Sequence, residues 1–346
     1  MCFSHAIIVS FLLKVGGVMD FLNDILTYHP IIPYVVLIVG FVALIKGADW
    51  FVDGASSVAK KLGIPSVIIG LTIVAMGTSA PEAAVSISAA LENNNGIALG
   101  NVIGSNIFNL LVVLGVCMLI TRVPTKKDII SRDFPWNMMA TIVVIICILD
   151  GRISRLEGVL LLAMFAAYIA YLVYSAIKSR APADESEIGN YSWIISILLL
   201  IVGVVLIVAG GTCVVDSAKL IAISWGVDEI LVGLTIVACG TSLPELVTSI
   251  VAAKKGECDM AVGNVIGSNI FNLLFILGTT TTITPIRNID LSTILVDSVL
   301  LLGFTQLMLV FSQKESRFQK HQGAASVMCY VVYLAYIILR QFTTIF

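Results

Sequence analysis

Long apolar stretches separated by short polar segments follow one another along most of the chain. Each is interpreted as a membrane-spanning helix, which needs about 20 apolar residues. The ten spans cover residues 31–51, 63–91, 96–120, 137–150, 156–178, 192–216, 227–253, 259–284, 291–312 and 324–343. Of the 346 residues, 58% are hydrophobic and only 12% are charged, which excludes an ordinary soluble domain. The pattern therefore predicts an all-α integral membrane protein.

One block of sequence occurs twice, at a constant offset of 163 residues. Residues 70–111 and 233–274 are identical at 28 of 42 aligned positions. Each copy has a glutamate inside an apolar run, Glu82 in the first and Glu245 in the second. An acidic side chain at the centre of a membrane helix costs about 2.5–3.5 kcal/mol on insertion scales. Because this cost is met in both copies, we expect both acids to belong to the functional site.

A polar, acidic linker at residues 179–191 divides the spans into two halves. The first five-helix repeat is 31–178, the second is 192–346, and residues 1–30 form an N-terminal extension in which Met19 is a candidate start. Since five is odd, two related halves must cross the bilayer in opposite directions. The sequence thus predicts ten transmembrane helices in two inverted five-helix repeats, an arrangement typical of secondary transporters.

The basic residues predict the orientation. With the N-terminus outside, thirteen lysines and arginines fall in inner loops and six in outer ones. Lys and Arg collect on the cytoplasmic side of membrane proteins. We therefore predict a multi-pass protein of the cell (plasma) membrane, with both termini outside and linker 179–191 in the cytoplasm.

Each glutamate follows a predicted break in its helix. Pro81 has no N–H and clashes with the carbonyl of Gly77, so the helix should break within residues 75–79, in the middle of the membrane. The same pattern precedes Glu245. Two carboxylates that lie close together repel, and one would be protonated unless a cation lay between them. Calcium takes about 6–8 oxygen ligands, whereas zinc and copper favour nitrogen or sulfur. The block therefore predicts an all-oxygen cation cage built around broken helices.

A polar stripe on the third and eighth spans is expected to complete this cage. Its side chains are spaced by four residues and so share one helix face. They are Asn101, Ser105 and Asn109 in the first copy, and Asn264, Ser268 and Asn272 in the second. Asn106 and Asn269 point away from this stripe and are interpreted as helix-packing residues.

The motifs Gly-Thr-Ser-x-Pro-Glu and Gly-Asn-x-x-Gly-Ser-Asn, present in each half, resemble the α-repeats of the sodium/calcium exchangers. These belong to the calcium/cation antiporter superfamily, and the chain resembles their compact prokaryotic type. The resemblance implies an antiporter rather than an enzyme, exchanging three Na⁺ for one Ca²⁺ electrogenically by alternating access. It implies no cofactor. The expected partners are calcium and sodium ions and the lipid bilayer, with no nucleic acid and no obligate protein partner. The first and sixth spans would slide against the rest.

The resemblance also implies a set of ion sites. Calcium would be bound by Glu82 and Glu245 and by the backbone carbonyls of Thr78 and Thr241. One sodium site would use Ala238, Thr241, Ser242, Glu245 and Ser105, and its inverted mate would use Ala75, Thr78, Ser79, Glu82 and Ser268. A middle site would be bounded by Glu82, Asn109, Glu245 and Asn272. Several family members, including the potassium-dependent ones, have aspartate where Asn272 stands, so the resemblance implies potassium independence.

Two alternatives remain open at this point. A proton/calcium antiporter on the same scaffold is compatible with protonatable Glu82 and Glu245, although the serine-rich sites favour sodium. A calcium channel would need a continuous pore and usually a symmetric oligomer.

Overall fold

A computed structural model describes residues 31–92, 94–124, 126–178, 191–227, 232, 235–236, 238–313 and 317–343. Almost all of these residues are helical. Large apolar side chains face outward, among them Ile38, 64% exposed, and Ile194, 80% exposed. Polar side chains such as Glu82 and Asn106 are fully buried. This reversal of the usual distribution is the one that a bilayer requires, because apolar surface there meets lipid rather than water.

The helices follow one another with short connections. Breaks divide two of them into segments labelled a and b. The helices are α1 Ile32–Leu62, α2a Ser66–Thr78, α2b Ala80–Leu91, α3 Gly96–Ile120, α4 Ile129–Ile148, α5 Arg155–Lys178, α6 Trp193–Ser224, α7a Ala238–Gly240, α7b Leu243–Lys254, α8 Cys258–Ile283, α9 Leu291–Gln313 and α10 Lys320–Thr343.

Among the described residues, eight helices are long and apolar enough to cross a membrane. The bent pair α2a–α2b makes a ninth span if it is counted as one. The predicted seventh span, residues 227–253, is described only in part. The all-helical membrane fold is therefore present, while the predicted count of ten rests partly on residues outside the described ranges. Nearly all of linker 179–191 also lies outside them.

Three helices extend at least eight residues beyond the ends that hydropathy predicted. The first was expected to end at residue 51 and the sixth at 216, but α1 continues to Leu62 and α6 to Ser224. The fourth was expected to begin at 137 and begins at Ile129. In α1 the reason is tertiary pairing, because Asp53 forms an ion pair with Lys255. In α4 the reason is local, because Arg132 and its neighbour Asp133 pair with each other and are both buried.

Glycines bring α1 and α6 into close contact along their length. A Cβ atom at Gly47 would lie 2.7 Å from the Cβ of Leu206, and one at Gly210 would lie 2.6 Å from the backbone nitrogen of Leu44. Ordinary Cβ contacts are 3.4–4 Å long. Only glycine permits this spacing, so the two longest helices pack as a pair.

A second glycine contact joins the two halves at the centre of the molecule. Gly263 and Gly267 on α8 pack against α2a, where added Cβ atoms would lie 2.6 Å from the carbonyl oxygen of Val67 and 2.7 Å from the Cα of Leu71. Because glycine has no Cβ atom, this G-x-x-x-G pair lets α8 approach α2a closely.

The structure also contains two local features that the pattern analysis did not predict. Short π-helical segments lie within α2a, α3, α4 and α8, at Gly70–Val74, Asn109–Val113, Ile129–Asp133 and Phe271–Ile276. Two-residue strands, β1 Val123–Pro124 and β2 Arg317–Phe318, pair antiparallel and join the loop after α3 to the loop before α10.

Candidate functional site

The two helix breaks occur where the prolines predicted them. Ser79, with φ −84° and ψ 12°, separates α2a from α2b, and the two segments are bent by 48°. Ser242, with φ −91° and ψ 8°, lies between α7a and α7b in the same conformation. Since Pro81 lacks an N–H, the carbonyl of Gly77 cannot receive its normal helical hydrogen bond. Each break therefore places a polar backbone segment and the first turn of a new helix inside the molecule.

Glu82 and Glu245 lie in those first turns and are both fully buried. Crossed hydrogen bonds connect them. Ser79 Oγ donates to Glu245 Oε1 at 2.6 Å, and Ser242 Oγ donates to Glu82 Oε1 at 3.0 Å. Each acid is thus held by the serine of the other break. The fold brings the two repeated glutamates together in the protein interior rather than against lipid.

The second oxygen of each carboxylate has no hydrogen-bond partner among the described residues. Glu82 Oε2 and Glu245 Oε2 are both buried without such a partner. Further buried oxygens from the polar stripes share it: Asn109 Oδ1, Asn272 Oδ1 and Ser105 Oγ. Buried polar atoms are nearly always paired, and leaving one unpaired costs about 1–3 kcal/mol. Carboxylate, amide and hydroxyl oxygens form the ligand set that hard cations prefer.

The remaining serine and threonine candidates surround the acids. Ser268 Oγ donates to Glu245 Oε1 at 3.4 Å. Thr78 Oγ1 donates to Asn264 Oδ1 at 3.1 Å. Ala75 is fully buried on α2a, and Thr241 lies in the turn after α7a. Ala238 begins α7a, but its side chain lies outside the described part of the chain.

Two members of the predicted stripe have a supporting role in this structure. Asn101 donates to Ser86 Oγ at 2.9 Å and to the carbonyl of Glu82 at 3.2 Å. Asn264 donates to Ser249 Oγ at 2.9 Å and, at 3.5 Å, to the carbonyl of Glu245. Their amide groups fix the segments that carry the acids. The expectation that the whole stripe lines the cage was therefore too broad.

Sequence reasoning missed the part played by Asn106 and Asn269. Both are fully buried, and both hydrogen-bond across the molecule to the opposite half. The same residue type, asparagine, at this position in both copies could have indicated a role, but helical spacing placed both residues off the polar stripe. The π-helical turns at Asn109 and Asn272 also change the direction of the following side chains, and such turns are frequent at functional sites.

Comparisons with known proteins agree with this architecture. The family model for the sodium/calcium exchanger protein matches residues 32–174 and 195–339. The chain is 39% identical to the putative antiporter CaxA of Alkalimonas amylolytica, over 86% of this chain and 96% of that relative. It is 31% identical to the sodium/calcium exchanger MaX1 of Methanosarcina acetivorans, over 87% of this chain and 97% of that relative.

The solved structure of the sodium-calcium exchanger NCX_Mj is similar over most of this chain. It has a TM-score of 0.77 with 31% sequence identity, and the match covers 88% of this chain and 98% of that one. The family match therefore spans both copies of the repeated block and both acids. The protein is a multi-pass membrane transporter rather than an enzyme, and it belongs to the sodium/calcium exchanger family.

Proposed function

We propose that this protein is a sodium/calcium antiporter that works by alternating access, exchanging three Na⁺ for one Ca²⁺. The observation that supports this most directly is the pair of buried glutamates, each with one oxygen held by a serine of the opposite break and one oxygen unpartnered. A cation between them would neutralise the carboxylates and complete the coordination of those oxygens.

The ion sites follow from the family resemblance applied to these residues. Calcium is held by the carboxylates of Glu82 and Glu245 and by the carbonyls of Thr78 and Thr241. Two of the three sodium ions use the two flanking sites, which share their acids with the calcium site. The first is formed by Ala238, Thr241, Ser242, Glu245 and Ser105, and the second by Ala75, Thr78, Ser79, Glu82 and Ser268. The unpartnered amide oxygens of Asn109 and Asn272 support a middle site between the acids.

The charge of the cage explains why exchange is coupled and electrogenic. Two carboxylates give −2, so the cage is neutral with one Ca²⁺ and +1 with three Na⁺. An empty cage would carry two uncompensated charges in a low-dielectric interior and should cross between states slowly. Calcium and sodium compete for the same carboxylates, which makes exchange obligatory. Because the amide of Asn272 adds no charge, we propose that potassium is not required.

We further propose that the two halves are inverted five-helix repeats, with ten spans in all. Their crossed contacts, Ser79 with Glu245 and Ser242 with Glu82, are those expected of two copies related by an axis in the membrane plane. The protein lies in the plasma membrane with both termini outside and residues 179–191 in the cytoplasm. The closely packed pair α1–α6 is the unit that slides against the other helices.

Calcium-45 uptake into sodium-loaded proteoliposomes tests the exchange. Uptake driven by the outward sodium gradient is expected. Three Na⁺ leaving for one Ca²⁺ entering moves one positive charge outward, so an imposed inside-positive potential should accelerate uptake. Uptake that needs a pH gradient instead would favour the proton/calcium antiporter, and uptake without any counter-ion gradient would favour a channel.

Glu82→Gln tests the site itself. It removes one of the two charges that balance calcium while keeping the size of the side chain, and it should abolish sodium-driven calcium uptake. Glu92→Gln makes the same change at an exposed position at the end of α2b and should leave uptake unchanged. Normal exchange by Glu82→Gln would exclude this carboxylate from the calcium site.

A further inference from the structure

Four asparagines form a hydrogen-bonded network where α3 meets α8. Asn106 Nδ2 donates to the carbonyl oxygen of Asn269 at 3.0 Å, and Asn269 Nδ2 donates to the carbonyl oxygen of Asn106 at 3.2 Å. Asn272 Nδ2 donates to Asn106 Oδ1 at 2.9 Å, and Asn109 Nδ2 donates to Asn269 Oδ1 at 3.2 Å. All four side chains are fully buried.

This network determines which end of each amide faces which way. A backbone carbonyl can only accept a hydrogen bond, so the side chains of Asn106 and Asn269 must direct their NH₂ groups toward each other's main chain. Their Oδ1 atoms then point away and require a donor. Asn272 and Asn109 supply it with their own NH₂ groups, which leaves their Oδ1 atoms on the other side and without a partner.

The consequence matters for a cation. An asparagine can present either a carbonyl oxygen, which attracts a cation, or an NH₂ group, which repels it. The two ends have nearly the same shape, so packing alone does not select between them. Here the carbonyl of Asn269 orients the amide of Asn106, which in turn orients the amide of Asn272. In the same way the carbonyl of Asn106 orients Asn269, which orients Asn109.

We propose that Asn106 and Asn269 are positioning residues for the middle ion site. They touch no transported ion themselves. They orient the amides of Asn272 and Asn109 so that oxygen, not NH₂, faces the carboxylates. This inference rests on the proposed function. It replaces the interpretation of these two residues as simple helix-packing groups.

The test exploits the symmetry of a carboxylate, which presents oxygen whichever way it is turned. Asn106→Leu removes the acceptor that orients Asn272 while keeping a similar side-chain volume. In the otherwise wild-type protein, the half-saturating concentration of sodium or calcium should rise roughly tenfold, as for loss of a hydrogen bond to a charged group. In an Asn272→Asp background neither carboxylate oxygen can donate to Asn106 Oδ1, so the same Asn106→Leu change should not raise this concentration.

Asn137→Leu is the matched control. Asn137 is a fully buried asparagine of α4, and neither of its amide atoms has a hydrogen-bond partner among the described residues. Replacing it makes the same chemical change in a membrane helix without touching the network, so ion affinity should be unchanged. A rise in half-saturating concentration that is equal in both Asn272 backgrounds would show that Asn106 acts through packing and would overturn the proposal. No rise in either background would overturn it as well.

Binding provides a readout that does not depend on transport. Calcium and sodium should each raise the thermal unfolding temperature of the purified protein, and Asn106→Leu should shift the ion concentration that gives half of this protection by the same factor. If ions raise the unfolding temperature of the wild-type protein but the protein does not exchange them, the proposed function is refuted. The positioning role of Asn106 is then decided by the ion concentration that gives half of the rise in unfolding temperature. A protein that neither exchanges nor is protected would refute both.

Discussion

Replacing Lys255 with glutamine is expected to shift the protein toward the state that opens on the cytoplasmic side. Lys255, directly after α7b, lies with its Nζ 2.7 Å from Asp49 Oδ1 and 2.6 Å from Asp53 Oδ1. It also donates to the carbonyl of Asp49 at 2.9 Å. Both aspartates belong to α1. This cluster therefore ties one of the two proposed sliding helices to the helix that carries Glu245.

Among the described residues, this tie has no equivalent in the other half of the chain. The position that corresponds to Lys255, 163 residues earlier, is Glu92, and the one that corresponds to Asp53 is Asp216. Two acids cannot form an ion pair. In the proposed orientation Lys255 lies on the cytoplasmic side. We therefore expect this one-sided interaction to stabilise the state that is closed on that side, so removing it should change the ratio of the two access states.

The size of the change can be worked out from the exposure of the groups. The side chains are 21% exposed for Lys255, 35% for Asp49 and 20% for Asp53. Exposed ion pairs contribute about 0.2–1 kcal/mol, and breaking a buried one costs about 3–5 kcal/mol. A partly exposed pair lies between these limits and is discounted for solvent screening to about 1–2 kcal/mol. That corresponds to roughly a 5- to 30-fold change in the ratio of the two states.

Cysteine labelling can measure this ratio. Ser56 is 1% exposed and lies three residues after Asp53 on the same face of α1. A Ser56→Cys reporter, in a background whose seven native cysteines are replaced, should be alkylated by a membrane-impermeant maleimide in inside-out vesicles about 5- to 30-fold faster with Lys255→Gln. Lys254→Gln removes the same charge from the neighbouring exposed residue and should leave the rate unchanged. Equal rates for the two variants would refute the reasoning.

Two further predictions concern the middle site and the helix pair. Asn272→Asp adds a third carboxylate to the cage and should make calcium uptake depend on potassium or on pH; unchanged coupling in the flux assay would remove this residue from the site. Gly210→Ala places a Cβ atom 2.6 Å from the Leu44 nitrogen, 0.8 Å inside the 3.4 Å limit of ordinary contact, and should lower the thermal unfolding temperature. Overpacking costs about 1–3 kcal/mol, of which the better helix propensity of alanine offsets about 1. Gly303→Ala, where the new Cβ would meet no atom within 4 Å apart from its chain neighbours and the backbone of its own helix, should raise that temperature slightly, and equal shifts would contradict the packing argument.

The helix breaks could be predicted from the sequence because their cause is local. Pro81 and Pro244 remove a backbone donor wherever they occur in a helix, and the preceding glycines make the departure from helical geometry easier. The meeting of Glu82 with Glu245 could be predicted for a different reason. An acid that is costly to bury and occurs at the same place in both copies of a repeat is expected to lie near its counterpart, because the two copies pack against each other.

The true lengths of α1 and α4 could not be predicted by hydropathy, because their polar residues find partners inside the protein. Asp53 reads as the end of a span until Lys255, 202 residues away, is known to face it. Arg132 reads as a loop residue until its side chain is seen to pair with Asp133 and to donate to Ser175. A polar residue ends a membrane span only if nothing in the fold satisfies it.

The orientation of the amides could not be predicted from the sequence either. Helical spacing places Asn109 and Asn272 on the side of the cage, but it says nothing about which end of each amide faces the ions. That choice depends on two backbone carbonyls, those of Asn106 and Asn269, and on the close approach of α3 and α8. It is a property of the contact between the halves, which no single repeat contains.

The duplicated block and its unequal surroundings have different physical roles. The proposed cage would bind the same ions from either side of the membrane, and near-identical contributions from the two halves would provide this, as the crossed bonds of Ser79 and Ser242 illustrate. A preference for one access state cannot come from those contributions, because a symmetric site has no preferred side. A preference requires a contact that one half makes and the other does not. The pairing of Lys255 with α1 is such a contact, so we expect the balance between access states to be altered through such contacts with less effect on ion affinity than changes to the cage itself.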